Sequence, residues 1–331
     1  MIQASKIPAA PHAWASFWDE SGLVNSRAVH GERQAAILRS HWEEAFRPVL
    51  VPGCRLRMLD VACGAGVISR TAMACARDAG AQLEIHCSDY AHPALVELAA
   101  RQLEPPVFAA AGDAARLPYK DGGFDIVASQ YGLEYAGQGA FAEAGRVTAE
   151  EGLFLAVVHK HGGAIQRECQ GNLDVLTAVE ENGLLRHFRR YMKMAAKVGA
   201  GTAAPKALER PMKDVASASD AVAAVLLEAA PGSARDHVQR LLGDMRQLDQ
   251  RRRNYNTADI ERWIEGQTVD LAAFRVRMES MVGAALDASA MADAVEQLKQ
   301  AGLEDVTIAD LVMDPASPPA GWTLRAAGKT A

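Results

Sequence analysis

The sequence predicts an α/β fold: a parallel, doubly wound sheet interrupted by a long helical insertion. Three observations carry that expectation. Between Arg57 and Val158 short apolar runs alternate with helix-length amphipathic stretches, as strands joined by helical crossovers do. The first apolar run ends in the turn Asp60-Val61-Ala62-Cys63-Gly64-Ala65-Gly66, which leads straight into a helix. From about Ala164 to Leu286 strand-like runs give way to helical ones.

The elements follow in order. Residues 13–50 carry Trp14, Phe17, Trp18, Trp42 and Phe46 and read as one or two helices, ended by Pro48 and Pro52. Arg57–Ala62 is the first strand. Val67–Ala79 is a helix with Gly80 at its C′ position. Leu83–Cys87 is the second strand, and Pro93 suits the first turn of a helix reaching Leu103. Val107–Ala110, Phe124–Ser129 and Leu153–Val158 are the next strands, with a turn at Asp121–Gly123 and a helix over Phe141–Val147. Helices are then expected at Leu173–Lys197, Ala216–Ala229, Ala234–Arg252 and Thr257–Ala285, the last with Thr257 as its N-cap. A final helix, Ala290–Ala301, stops at Gly302, and two strands, Val306–Met313 and Trp322–Ala326, complete the sheet.

This gives four segments: an N-terminal helical cap (1–50), a ligand-binding core (51–163), the insertion (164–286) and a closing helix and strand pair (287–331). The insertion suits a lid, an acceptor pocket or a homodimer interface, since it carries apolar stripes such as Val222, Val225, Leu226 and Ala229. With 331 residues, a sizeable core can be buried. The formal net charge of −6 argues against nucleic acid and anionic membrane as partners. Five cysteines without a Cys-x-x-Cys pair fit a reduced, cytoplasmic setting. No apolar run reaches membrane-spanning length.

The chemistry concentrates at strand ends. Glycines at 64 and 66 let the backbone turn and approach a ligand closely, and the following helix offers free N–H groups. Gly64-Ala65-Gly66-Val67-Ile68-Ser69 approximates a dinucleotide fingerprint, with Ser69 in place of the third glycine. Asp60 changes the balance, because a carboxylate there crowds a pyrophosphate and suits a ligand bearing an ammonium and a sulfonium. The plainer role is a cap for the next turn. Asp89, after the second strand, can accept ribose hydroxyls, and Tyr90 can lie along an adenine. Asp113 can accept from an adenine amino group while Ala114 presents its N–H; the plainer role is an Asx turn.

These motifs, with the run Phe124–Tyr135, occur in order and at suitable spacing. Together they resemble the class I S-adenosylmethionine-dependent methyltransferases, in particular the small-molecule branch related to quinone and sterol methyltransferases. The resemblance spans roughly residues 40–160 and the last strand pair. It implies a Rossmann-like, seven-stranded sheet with the last strand antiparallel and S-adenosylmethionine bound at the strand ends. Asp60, Ala62, Gly64 and Gly66 would then surround the methionine moiety, Asp89 and Tyr90 the ribose and adenine, and Asp113 and Ala114 the adenine. Gln130 and Tyr131 would lie near the sulfonium. The insertion departs from the compact family pattern.

Methyl transfer to a small molecule is an in-line displacement, and a base is needed where the acceptor must lose a proton. Glu134, His159 and His161 are the catalytic candidates. His159 continues an apolar strand, so His161, beyond the strand, is expected to be the better placed. Lys160 is expected to be solvated. His159 and His161 lack a third partner for a metal, so none is expected. Trp14, Phe17 and Trp18 are candidates to cap the cleft. Arg251–Arg253 reads as a solvated helix end. A nicotinamide-dependent reductase and a non-catalytic binding module are the competing readings.

Overall fold

The computed structural model describes Trp14, residues 32–137 and residues 139–328. Seven strands form one sheet: β1 Arg55–Val61, β2 Gln82–Asp89, β3 Phe108–Ala111, β4 Phe124–Gln130, β5 Thr148–His159, β6 Asp305–Leu311 and β7 Gly321–Ala327. Their order is β3-β2-β1-β4-β5-β7-β6. The first five run parallel, and β7 lies antiparallel between β5 and β6. The expected seven-stranded sheet with an antiparallel final strand is therefore present. β1, β4 and β5 occupy its centre and are apolar over most of their length, as strands covered on both faces must be.

α1 Glu32–Phe46 precedes β1; the crossovers are α2 Val67–Ala79, α3 His92–Ala100 and α4 Ala140–Val147, with α10 Ala288–Gln300 preceding β6. Leu59, Val127 and Phe154 of the central strands pack with Phe141 and Val147 of α4 and Met291 and Leu298 of α10 in one apolar cluster. Between β5 and α10 lie α5 Ala164–Glu181, α6 Leu184–Gly199, α7 Glu209–Glu228, α8 Ser233–Gln250 and α9 Thr257–Ala284. The chain divides into two compact units. One contains the sheet and runs to Gln166 and onward from Ser280; the other comprises Arg167–Glu279.

Several expectations are corrected. The helix expected over Leu173–Lys197 is two helices, broken at Gly183, whose φ of 59° is left-handed. The apolar spacing continues through the break, so periodicity alone hides it. Asn256, not Thr257, caps α9: its side-chain oxygen accepts from the Asp259 amide at 2.7 Å. The helix placed at Ala216–Ala229 begins seven residues earlier, at Glu209. Of its expected apolar stripe, Val222 and Leu226 are buried, while Val225 and Ala229 are half-buried. Lys160 is not solvated: it pairs with Asp310, and its ammonium lies 3.6 Å from the centre of the Trp322 ring. Of the expected helical cap over 1–50, α1 and Trp14 are described, and the other residues of 1–31 lie outside the described residues. Among the described residues, no helix is long and apolar enough to cross a membrane.

Candidate functional site

A cleft of about 490 Å3 opens where the parallel strands end, the place an open α/β sheet offers a ligand. The turn after β1 contributes Asp60 to Ala65, the end of β2 gives Asp89 and Tyr90, and the loop after β3 gives Gly112 to Ala114. Gln130 ends β4, Tyr131 and Gly132 follow it, and His159 ends β5. Ser280 and Met281, near the end of α9, and Trp14 complete the lining.

The first turn is built by strain and close approach. Ala62 and Tyr131 have φ of 54° and 53°, and both face the cleft. Left-handed non-glycine residues at a site are held there by their surroundings. Gly132 packs directly on Ala62, where a Cβ would collide with the alanine's own Cβ. Gly66 is left-handed at 68° and starts α2, and a Cβ there would meet Leu98. It shapes the turn and does not line the cleft.

The three acids are not equivalent. Asp60 is fully buried, and its Oδ2 accepts from the Ser69 hydroxyl at 2.6 Å and the Ser69 amide at 3.1 Å. It therefore caps the first turn of α2. Burial, opposed by those bonds, raises its carboxyl to about 7. At neutral pH burial therefore keeps more of Asp60 protonated than an exposed carboxyl would be. Its Oδ1 is buried and lacks a hydrogen-bond partner among the described residues. Asp89 accepts from Gly64 at 2.8 Å through Oδ2 and from Ala91 at 2.7 Å through Oδ1, tying the glycine turn to β2. Burial pushes its carboxyl up. Asp113 is exposed and accepts from Ala115 at 2.9 Å, an Asx turn, with Ala114 beside it on the cleft. Tyr90 lines the rim and is 65% exposed.

At the β4–β5 end, Gln130 accepts the Trp42 indole N–H at 2.7 Å. Trp42 is fully buried and stacks on Phe46 within α1. That link spans 88 residues and leaves no local trace in the sequence. His159 is 2% exposed, and its Nδ1 lies 2.7 Å from Glu134 Oε1, which also accepts from the His159 amide at 2.9 Å. Tyr131 lies 4.4 Å from the His159 ring, and Tyr135 meets it edge-on at 5.7 Å. Trp14 in turn meets Tyr135 edge-on at 5.7 Å. Phe17 and Trp18 lie outside the described residues. The preference for His161 is corrected: it is exposed and outside the cleft lining, its amide bonded to the Leu286 carbonyl, because the strand runs on far enough to bring His159 to its end. Cys63, Ser280 and Met281 also reach the cleft. Cys63 sits inside the glycine turn and was legible there; the other two come from the far side of the insertion.

Residues 59–156 match the family model described as methyltransferase domain. The match starts in β1 and ends in β5, so it covers the strands whose ends form the cleft. Residues 59–156 are thus similar to a methyltransferase domain. Malonyl-[acyl-carrier protein] O-methyltransferase of Geobacter sulfurreducens is 31% identical over 167 residues, 49% of this chain and 56% of that protein. The match thus spans little more than half of this curated relative. Among solved structures, the YcgJ protein of Bacillus subtilis shares 21% identity, with a TM-score of 0.33 over 41% of this chain and 58% of that one. The [4+2]-cyclase SpnF shares 24%, with a TM-score of 0.37 over 46% and 61%. A possible exported protein from Bordetella parapertussis shares 14%, with a TM-score of 0.44 over 88% and 67%.

The methyl donor of this domain family is S-adenosylmethionine. The methyltransferase domain's own residues fit it. The carboxylates of Asp89 and Asp113 each retain lone pairs after their backbone bonds, and Asp60 Oδ1 is unpartnered toward the same end.

Proposed function

We propose that this chain transfers a methyl group from S-adenosylmethionine to a small-molecule acceptor by in-line displacement. One observation carries the reading: the strand ends of the methyltransferase domain converge on a single cleft with acids at its β1, β2 and β3 ends and a histidine at its β5 end. When bound, the donor supplies an electrophilic methyl group on a cationic sulfur. Asp60, Ala62, Gly64 and Gly66 shape the pocket for its methionine part. Asp89 accepts from the ribose hydroxyls while holding Gly64, and Tyr90, Asp113 and Ala114 flank the adenine. Gln130 and Tyr131 stand beside the sulfur, and Trp14 and Tyr135 exclude water from the reacting end.

A cleft of this volume suits a small acceptor, and the net charge of −6 gives nucleic acid no diffuse attraction. The relative from Geobacter acts on a malonyl group carried by a protein; a carried or a free small acceptor fits this reading. A nicotinamide-dependent reductase is disfavoured, since Ser69 replaces the third glycine and its hydroxyl is committed to Asp60.

Calorimetry with S-adenosylhomocysteine tests the reading, with saturable one-to-one binding expected. Asp89→Ala should weaken it by roughly 10- to 100-fold, the value of a hydrogen bond to a charged group. Absence of binding, or binding of reduced nicotinamide cofactor instead, rejects the proposal.

A further inference from the structure

The β4–β5 end of the cleft holds a pair of groups that binding a donor does not require. Glu134 has a side chain removed from solvent, and His159 is almost as fully buried. A carboxylate can only accept, and Glu134 Oε1 already takes the His159 amide proton, so the short contact to Nδ1 places the ring proton on Nδ1. That leaves Nε2 with its lone pair. His159 lines the cleft, and its Nε2 is buried with no hydrogen-bond partner among the described residues. A buried acceptor nitrogen without a donor is costly, and a donor supplied by a ligand removes the cost.

We propose that His159 is a general base oriented by Glu134, and that the acceptor is an acidic hydroxyl, a phenol or an enol, seated between Tyr131, Tyr135 and Trp14. The proposal rests on the methyltransferase reading and names its substrate class. No lysine or arginine lines the cleft among the described residues, so a carboxylate or phosphate acceptor would meet Glu134 without a counter-charge. An ammonium acceptor would sit beside a cationic sulfur. A neutral hydroxyl avoids both. The aromatic edges and faces of Trp14, Tyr131 and Tyr135 suit a planar ring. An aliphatic alcohol is too weak an acid for imidazole, whereas a phenol ionises near 10 in water.

In the step, the acceptor oxygen forms its bond to the methyl carbon as the carbon–sulfur bond breaks, and that electron pair stays on sulfur. The hydroxyl proton passes to His159 Nε2, and the Glu134 carboxylate faces the resulting imidazolium. His159 is the catalytic residue and Glu134 a positioning residue. Glu134, Tyr131 and Tyr135 are the titratable groups shown in contact with or beside this imidazole.

The first test needs no donor. Nitrogen-15 NMR of the full chain should show His159 as the Nδ1–H tautomer, and Glu134→Gln should abolish that preference; an Nε2–H tautomer in the unaltered chain overturns the proposal. The second uses 2-naphthol, benzoate and benzylamine as probes with S-adenosylmethionine. Methylation of naphthol, reduced at least 100-fold at neutral pH by His159→Gln and recovered as pH approaches the phenol's own ionisation, is expected. S-Adenosylhomocysteine binding by that variant should stay within threefold, which shows it folded. Methylation of benzoate or benzylamine alone, or naphthol turnover unchanged by His159→Gln, overturns the acceptor class and leaves the methyltransferase reading standing. Absence of S-adenosylhomocysteine binding by the unaltered chain removes both.

Discussion

Asp60 shows how far burial alters a side chain that looks simple in sequence. In the unfolded chain its carboxyl ionises near 3.8, and in the folded chain near 7, with desolvation outweighing the Ser69 bonds. The folded state therefore holds an extra proton between those values. The stability this gives is complete below about pH 4 and lost as pH rises toward 7, on the order of 4 kcal/mol for three units. Thermal unfolding between pH 5 and pH 8 should show the unaltered protein losing stability and Asp60→Asn losing much less. Parallel curves would contradict the assignment. A cationic donor beside Asp60 favours its charged form, so calorimetric affinity for S-adenosylmethionine should rise from pH 6 to pH 8, and Asp60→Asn should flatten that rise. At this scale the sequence was partly legible. The acids at 60, 89 and 113 could be found from their place after apolar runs. Their partners could not, because Ser69, Gly64 and Ala115 compete with any ligand through geometry that spacing does not encode. The choice between His159 and His161 turned on one residue of strand length.

Elements were more legible than their joints. Parallel strands announce themselves as apolar runs followed by glycine or acid, and β1, β2, β4 and β5 lie within a few residues of their expected positions. β5 begins five residues earlier than its apolar run, at Thr148, since Glu150 and Glu151 are exposed where the strand starts. The break at Gly183 was hidden because Leu184, Leu185 and Phe188 keep the buried face continuous on both sides. Gly183→Ala should cost about 1–2 kcal/mol of stability, the penalty for a left-handed alanine, readable as a lowered denaturation midpoint with an unchanged denaturant slope. The joint between β1 and β4 is stricter. Gly132→Ala should cost about 1–3 kcal/mol through overpacking on Ala62, and should weaken S-adenosylhomocysteine binding as well, because the displaced residue is part of the cleft. Unchanged binding in a folded Gly132→Ala variant would show that the two turns move independently.

Across the whole molecule, burial grades the sheet from its centre outward. β1, β4 and β5 are buried on both faces over most of their lengths, while β3 and most of β6 are exposed at opposite edges. Hydrogen exchange should therefore be slowest for amides of β4 and β5 and fastest for β3 and β6; a protected β6 would require a covering partner. The insertion leaves the sheet unit after Gln166 and returns at Ser280. Within the sheet unit, the Gln166 side-chain amide donates to the Val282 carbonyl at 3.0 Å and its oxygen accepts from Gly162. The Leu286 amide on the His159 carbonyl and the His161 amide on the Leu286 carbonyl tie departure and return together as well. Because the two ends of the insertion meet inside the sheet unit, its length can change without altering strand order or the cleft's own glycines.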